Sequence, residues 1–176
     1  MLLQEYLPVY AYAEKHSISI NASAEKVFAL ADQLDFSGSP VIRFLFRLRG
    51  LPARMLRREG LNRNRFVELG KIDNREIIIG LIGQFWKPTG NLQFFQANEF
   101  IAFSHPDFLK AVWNFTLTAE SRSSVLLETE TRIFCPNERT RIKFSHYWFF
   151  VRPFSGLIRK EILRGIKKKA ESQPTG

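Results

Sequence analysis

Cysteine is almost missing: Cys135 is the single one in 176 residues. That excludes an intramolecular disulfide and any cysteine cluster for zinc, and it leads to the expectation of a reducing, cytoplasmic setting. Histidine is scarce as well. His16, His105 and His146 are scattered, with no helical pair four apart and no His-Glu zincin motif, so no metal site is expected. No run approaches the roughly 20 apolar residues that span a bilayer. The opening MLLQEYLPVYAYAEKH has no basic start, carries Glu5 and Pro8 early and lacks a small-residue cleavage site, so it does not read as a signal peptide. The expectation is a soluble protein. Nucleophile-elbow and P-loop patterns are absent, and GLIG at 80–83 is only a fragment of a glycine pattern. Gly80 and Gly83 within a strand read as a bulge or a bend. Cys135, just before Pro136 at a strand end, reads as a packing residue. No cofactor is expected.

What is present is phenylalanine and positive charge: 17 Phe against 4 Tyr and 3 Trp, with a net charge of +9. So much Phe in a chain of this length means a large dry core or an apolar cavity, within a single domain. That domain is read over 1–176, with its core at about 10–170 and a flexible tail at 171–176. Near-alternation at Ser17-Ile18-Ser19-Ile20 marks an opening strand within 9–21. Ser23 is a helix N-cap, and Val27, Phe28, Leu30, Ala31 and Leu34 recur at helical spacing over 24–34. Pro40 and the RGLP at 50 punctuate a second pair of short helices. Strands are read in RFVELGKI, REIIIGLIGQFW, FLKAVWNFTLTA and SSVLLETETRIF, separated by turn signals such as Asp73-Asn74. ANEFIAF (97–103) is read as a short helix capped by Asn98. The longest periodic stretch is 137–170, read as a helix over 138–169, where Phe144, Trp148, Val151, Ser155, Ile158, Ile162 and Ile166 lie on one stripe. Pro153 is expected to kink that helix.

Strand, two helices, a run of antiparallel strands and one long helix is the order of an α+β helix-grip fold, a curved antiparallel sheet wrapped around its C-terminal helix. With INASAEKVFALADQLD at the first strand-to-helix step, and RGLPAR, IGQFWKP, AVWNFTLT, ETETR and YWFFVRPFSGLIRKEIL beyond it, the chain resembles a bacterial branch of the SRPBCC superfamily. That superfamily includes START lipid-transfer domains, birch-pollen-allergen-like proteins and polyketide cyclases. The resemblance implies a cavity between sheet and helix that accepts an apolar or amphipathic small molecule. It supplies no shared catalytic set.

The strand SSVLLETETRIF then matters, because its two faces differ. Val125, Leu127, Thr129, Thr131 and Ile133 share the better inward face, leaving Glu128, Glu130 and Arg132 to solvent or to basic partners on neighbouring strands. With the inward phase chosen, the expected cavity wall is Ile77, Ile79, Leu81, Phe85, Trp113, Phe115, Leu117, Leu127, Thr129 and Thr131. Tyr147, Trp148, Val151, Ser155 and Ile158 join it from the long helix. The expected function is a binding or carrier protein for a hydrophobic or amphipathic molecule, lipid or polyketide-like. The alternative is a cyclase- or dehydratase-like enzyme using Glu130, His146 or Tyr147 as acid or base, provided that two such groups converge. A further alternative rests on charge. Residues 41–65 hold eight arginines against Glu59, and Arg43, Arg47, Arg54, Arg57 and Arg58 beside apolar residues would make the 41–58 segment a module for an anionic membrane surface or a partner. Nucleic acid is not expected, since no helix-turn-helix, finger or RNP-like signature accompanies the charge.

Overall fold

Four apolar runs, some alternating at period two, and the alternating opening segment form a five-stranded sheet among the described residues. The computed structural model describes residues 1–33, 65–121 and 123–172. Its elements are α1 (Leu2–Tyr6), β1 (Tyr12–Ile20), α2 (Ala24–Gln33), β2 (Val67–Ile72), β3 (Glu76–Gly83), β4 (Leu109–Ala119), β5 (Val125–Phe134) and α3 (Glu138–Ser172). A single 3-10 turn, Ala97–Glu99, lies between β3 and β4. The sheet order is β1-β5-β4-β3-β2, antiparallel throughout. A long C-terminal helix against such a sheet is the helix-grip fold. No helix among the described residues is long and apolar enough to cross a membrane.

β5 sits between β1 and β4, and its odd positions are all buried while its even ones are half-buried. One face of the sheet carries α2 and α3. There Ile77, Ile79, Trp113, Phe115, Leu117 and Leu127 pack with Val27 and Phe28 of α2 and with Ile162, Leu163 and Ile166 of α3. The other face is covered too, by α1 and by the segment between β3 and β4: Leu3, Leu7, Ile78, Ile82, Val112 and Phe100 form a second core. Burial on both faces explains why β3 reads as an unbroken apolar run rather than as an alternating one.

The second core required an element that the sequence pattern did not reveal. Helix α1 is one short turn and a half, held by a buried carboxylate: Glu76 accepts the backbone N–H of Leu2 at 2.8 Å and of Leu3 at 3.3 Å, and the amide of Asn114 at 3.1 Å. A charge that deep is tolerable only when fully hydrogen-bonded.

Several expectations are corrected. The segment at 97 is a 3-10 turn whose capping box joins Gln96 and Glu99, not a helix capped by Asn98. Strand β3 has no bulge at its glycines, since its pairing with β4 is continuous. A Cβ on Gly80 would lie 2.8 Å from Leu69, and one on Gly83 2.7 Å from the Gly90 carbonyl oxygen, so both glycines make room for close neighbours. The irregularity lies in β2, between Glu68 and Gly70. Helix α3 runs through Glu171 and Ser172, which the sequence had assigned to the tail, because Glu171 accepts the Asn21 N–H at 2.9 Å. Asn137 caps its start, accepting from the Thr140 N–H at 3.0 Å, and Pro153 lies inside it without ending it.

The stripe on α3 is buried at Phe144, Ile162 and Ile166 but only half-buried at Trp148, Val151, Ser155 and Ile158. Phe144 anchors the N-terminal half, with Tyr12, Phe85, Tyr147 and Trp148 around its ring. Phe144→Ala is therefore expected to cost about 3–5 kcal/mol in urea unfolding, and Trp148→Ala clearly less. Equal losses would put Trp148 in the core.

Candidate functional site

Antiparallel register lays the helix-bearing face out in rows. One row reads Glu14, Thr131, Trp113, Ile79 across β1, β5, β4 and β3; the next reads His16, Thr129, Phe115, Ile77. The row beyond, Ile18, Leu127, Leu117, is apolar, as is Tyr12, Ile133, Ala111, Leu81 on the other side. Two polar rows thus lie between two apolar clusters, directly under the middle of α3.

The polar groups are connected. His16 Nε2 and Glu14 Oε1 form a hydrogen bond of 3.0 Å, with the Glu14 side chain only 9% exposed. The Trp113 indole donates to Thr129 Oγ1 at 2.7 Å, and Thr129 donates to the Asn114 carbonyl at 2.7 Å. Arg159 comes down from α3, its guanidinium 4.9 Å from the Trp113 ring centre and Nη1 3.4 Å from Thr129 Oγ1. The helix comes close here because residue 156 is glycine: a Cβ there would stand 2.7 Å from Glu14 Oε1 and 3.5 Å from His16 Nε2.

Two atoms in these rows are left over. Glu14 Oε2 and Thr131 Oγ1 are buried, and neither has a hydrogen-bond partner among the described residues. Buried polar atoms are ordinarily paired, because leaving one unpaired costs about 1–3 kcal/mol. The two residues are cross-strand partners in register. One carboxylate oxygen, which can only accept, and one hydroxyl, which can do both, therefore stand on neighbouring strands.

The residues named from sequence fall as follows. Ile77, Ile79, Trp113, Phe115, Leu117 and Leu127 lie on the helix-bearing face as packed core, and Ile158 packs against them. Leu81, Phe85, Tyr147 and Trp148 join the cluster around Phe144. Thr129 and Thr131 are in the polar rows, and Val151 and Ser155 are half-buried on α3. Glu130, His146 and Tyr147 do not converge. Glu130 is on the opposite face, bonded at 2.7 Å to Arg132, and Glu128 beside it pairs with Lys15 at 2.7 Å. Both carboxylates are mostly covered rather than solvent-exposed. His146 is exposed on α3, while Tyr147 packs against Phe144. Arg43, Arg47, Arg54, Arg57 and Arg58 lie outside the described residues.

Sequence reasoning missed Glu14, His16 and Arg159. A signal was present: Tyr12, Glu14, His16, Ile18 and Ile20 share one face of a strand, so an inward Ile18 carries Glu14 and His16 inward with it. Cys135 is not part of the site, and burial pushes its thiol up to about 12, with Arg141 opposing and Glu138 adding to the shift. A thiolate is the reactive form. Alkylation at pH 8 is thus expected to run roughly a thousandfold slower in the native protein than in the unfolded chain. Comparable rates in both would place the thiol at the surface.

No family model matches the chain, and no curated protein sequence matches it. Solved structures resemble it over nearly their full length. The self-sacrificing resistance protein CalC of Micromonospora echinospora is 12% identical, with a TM-score of 0.42, covering 94% of this chain and 100% of its own. Norcoclaurine synthase of Thalictrum flavum is 12% identical with a TM-score of 0.36, over 93% of this chain and 95% of its own. The Zhui aromatase/cyclase of a Streptomyces species is 8% identical with a TM-score of 0.35, over 92% and 96%. At such identities and TM-scores none of their chemistry carries over. The strand order and the long C-terminal helix of this chain are by themselves the helix-grip arrangement, and the likeness extends to the fold alone.

Proposed function

We propose that the chain binds an amphipathic small molecule between α3 and the sheet, with a hydroxyl of that molecule lodged between Glu14 and Thr131. The observation that carries this reading is the pair of unpaired buried atoms, Glu14 Oε2 and Thr131 Oγ1, on adjacent strands. One ligand hydroxyl serves both, donating to the carboxylate and accepting from the threonine. The apolar body of the ligand then finds Trp113, Phe115 and Ile79 in the same rows. A mostly apolar wall with few polar anchors is the usual make-up of a small-molecule site. Lipid-like and polyketide-like alcohols and phenols both fit that description.

A second reading is favoured by the Glu14–His16 hydrogen bond. A hydroxyl seated against an imidazole–carboxylate pair is placed to lose its proton, which is the first step of general-base chemistry. In that reading the acid–base groups are Glu14 and His16, and Glu130 has no part.

Gly156 supplies the cleanest test. Gly156→Ala crowds the far end of the flexible Glu14 side chain rather than any backbone, and it replaces glycine within a helix, so stability is expected to hold or to rise by up to about 1 kcal/mol. Naphthol and naphthalene are suitable probes, differing only in the hydroxyl. Wild-type protein is expected to prefer naphthol by roughly tenfold, about 1.4 kcal/mol, and Glu14→Gln, Thr131→Val and Gly156→Ala to shrink that preference. Equal affinity for both probes in the wild type would sink the hydroxyl site. Deprotonation is read separately, from the absorption shift of naphthol to naphtholate on binding at neutral pH. Loss of that shift in His16→Gln with binding retained would mark the pair as a base; no shift in the wild type would leave a binding site only.

A further inference from the structure

Helix α3 has a second face, which the sheet does not cover. Counted in steps of three and four, its outer stripe runs Arg139, Ile142, His146, Phe149, Pro153, Leu157, Lys160, Arg164, Lys168. In a helix that packs one side on a core, the outer side is ordinarily polar from end to end. Here it is polar only at its ends. Phe149 is 76% exposed and Phe150 70%, with Ile142, Phe154 and Leu157 also exposed and Pro153 among them. Isolated exposed apolar residues are common, but a contiguous aromatic patch on a described surface marks a place that meets something other than water.

The charge around the patch narrows what that is. Arg139 and Lys143 stand before it, Arg152 beside it, and Lys160, Arg164 and Lys168 after it, all exposed. No acid lies on the stripe itself; Glu138 and Glu161 flank it and are bonded to Arg141 and Arg164. From Arg139 to Lys168 the stripe is about 44 Å long, and its apolar middle, from Phe149 to Leu157, about 12 Å. A second copy of the chain is a poor occupant. A two-fold pairing through the patch would set Arg139 and Lys143 of one copy against the basic C-terminal end of the other.

We propose that this outer face of α3 docks on an anionic lipid surface, the phenylalanines entering the headgroup region and the basic ends meeting lipid phosphates. The geometry is that of a helix lying in the plane of the interface, whose apolar residues sink only to the acyl boundary. The inner face stays on the sheet, so docking requires no unfolding of the domain. It also needs no segment other than α3.

The test uses the full chain and vesicles of phosphatidylcholine, with and without phosphatidylserine. Wild-type protein is expected to sediment with the phosphatidylserine vesicles, less so at high salt, and hardly at all with phosphatidylcholine alone. Two double variants probe the two halves of the idea: Phe149→Ser with Phe150→Ser, and Lys160→Gln with Lys168→Gln. Each is expected to weaken partitioning by roughly tenfold or more, with the circular dichroism spectrum unchanged because all four side chains are exposed. A polarity-sensitive fluorophore on Phe150→Cys, in a Cys135→Ser background, is expected to shift to the blue on the same vesicles. Wild type and both variants partitioning equally, no partitioning by any of them, or a fluorophore that stays in water would overturn the proposal. So would tighter binding to single-stranded oligonucleotides than to the vesicles that the phenylalanine substitutions abolish, since stacking on bases would then be the work of the patch.

Discussion

The phase of β5 governs the rest of the molecule. It is paired on both sides, so its odd residues set which residues of β1 and β4 share their face. A slip of one residue would turn Val125, Leu127, Thr129, Thr131 and Ile133 outward and bring Glu128, Glu130 and Arg132 under the helix. That exchanges two threonines and three aliphatics for Glu128, Glu130, Arg132, Leu126 and Phe134, and burying three charges beneath α3 is costly. The register therefore follows from burial, and the rows beneath α3 follow from the register.

A sheet with both faces covered has a further requirement: polar residues on either side must be satisfied within the protein. On the α1 side this is achieved fully. Glu76 is bonded to two backbone amides and to Asn114, whose side-chain Nδ2 also donates to Thr116 at 2.9 Å and whose side-chain Oδ1 accepts the Glu130 N–H at 2.9 Å. On the α3 side it is achieved in part. Thr129 is saturated by Trp113 and the Asn114 carbonyl, while Thr131 and half of the Glu14 carboxylate are not. The same physics applied to two faces gives a closed network on one and open valences on the other, beneath the middle of α3.

Helix α3 spans the two apolar clusters of its own face. Its inner face is apolar at each end, with Phe144 at one and Ile162, Leu163 and Ile166 at the other, and it carries Gly156 and Arg159 between them. Its ends are tied down: Asn137 donates to the carbonyl of Pro106, in the turn before β4, at 2.7 Å, and Lys167 donates to the Ser19 carbonyl of β1 at 2.9 Å. A helix fixed at both termini can carry a polar centre on one side and an aromatic patch on the other without losing its position.

By itself the sequence determined the five strands, α2 and α3 and their order, while the helices read after Pro40 lie outside the described residues. Alternation in β1 and β5, the Ser23 cap, the Asp73-Asn74 turn and the long period-3.6 stretch are local patterns, each decided within about ten residues. It also determined the inward face of β5, because β-branched and apolar residues fell on one phase. Short α1 was illegible, since one and a half turns carry too little periodicity and its hold comes from Glu76, 74 positions away. The pairing of Glu14 with Thr131, the closeness of Gly156 to both Glu14 and His16, and the exposure of Phe149 and Phe150 were decided by tertiary structure alone. Each depends on which strand lies beside which and on how α3 is rotated upon them, and those are properties of contacts between residues more than a hundred positions apart.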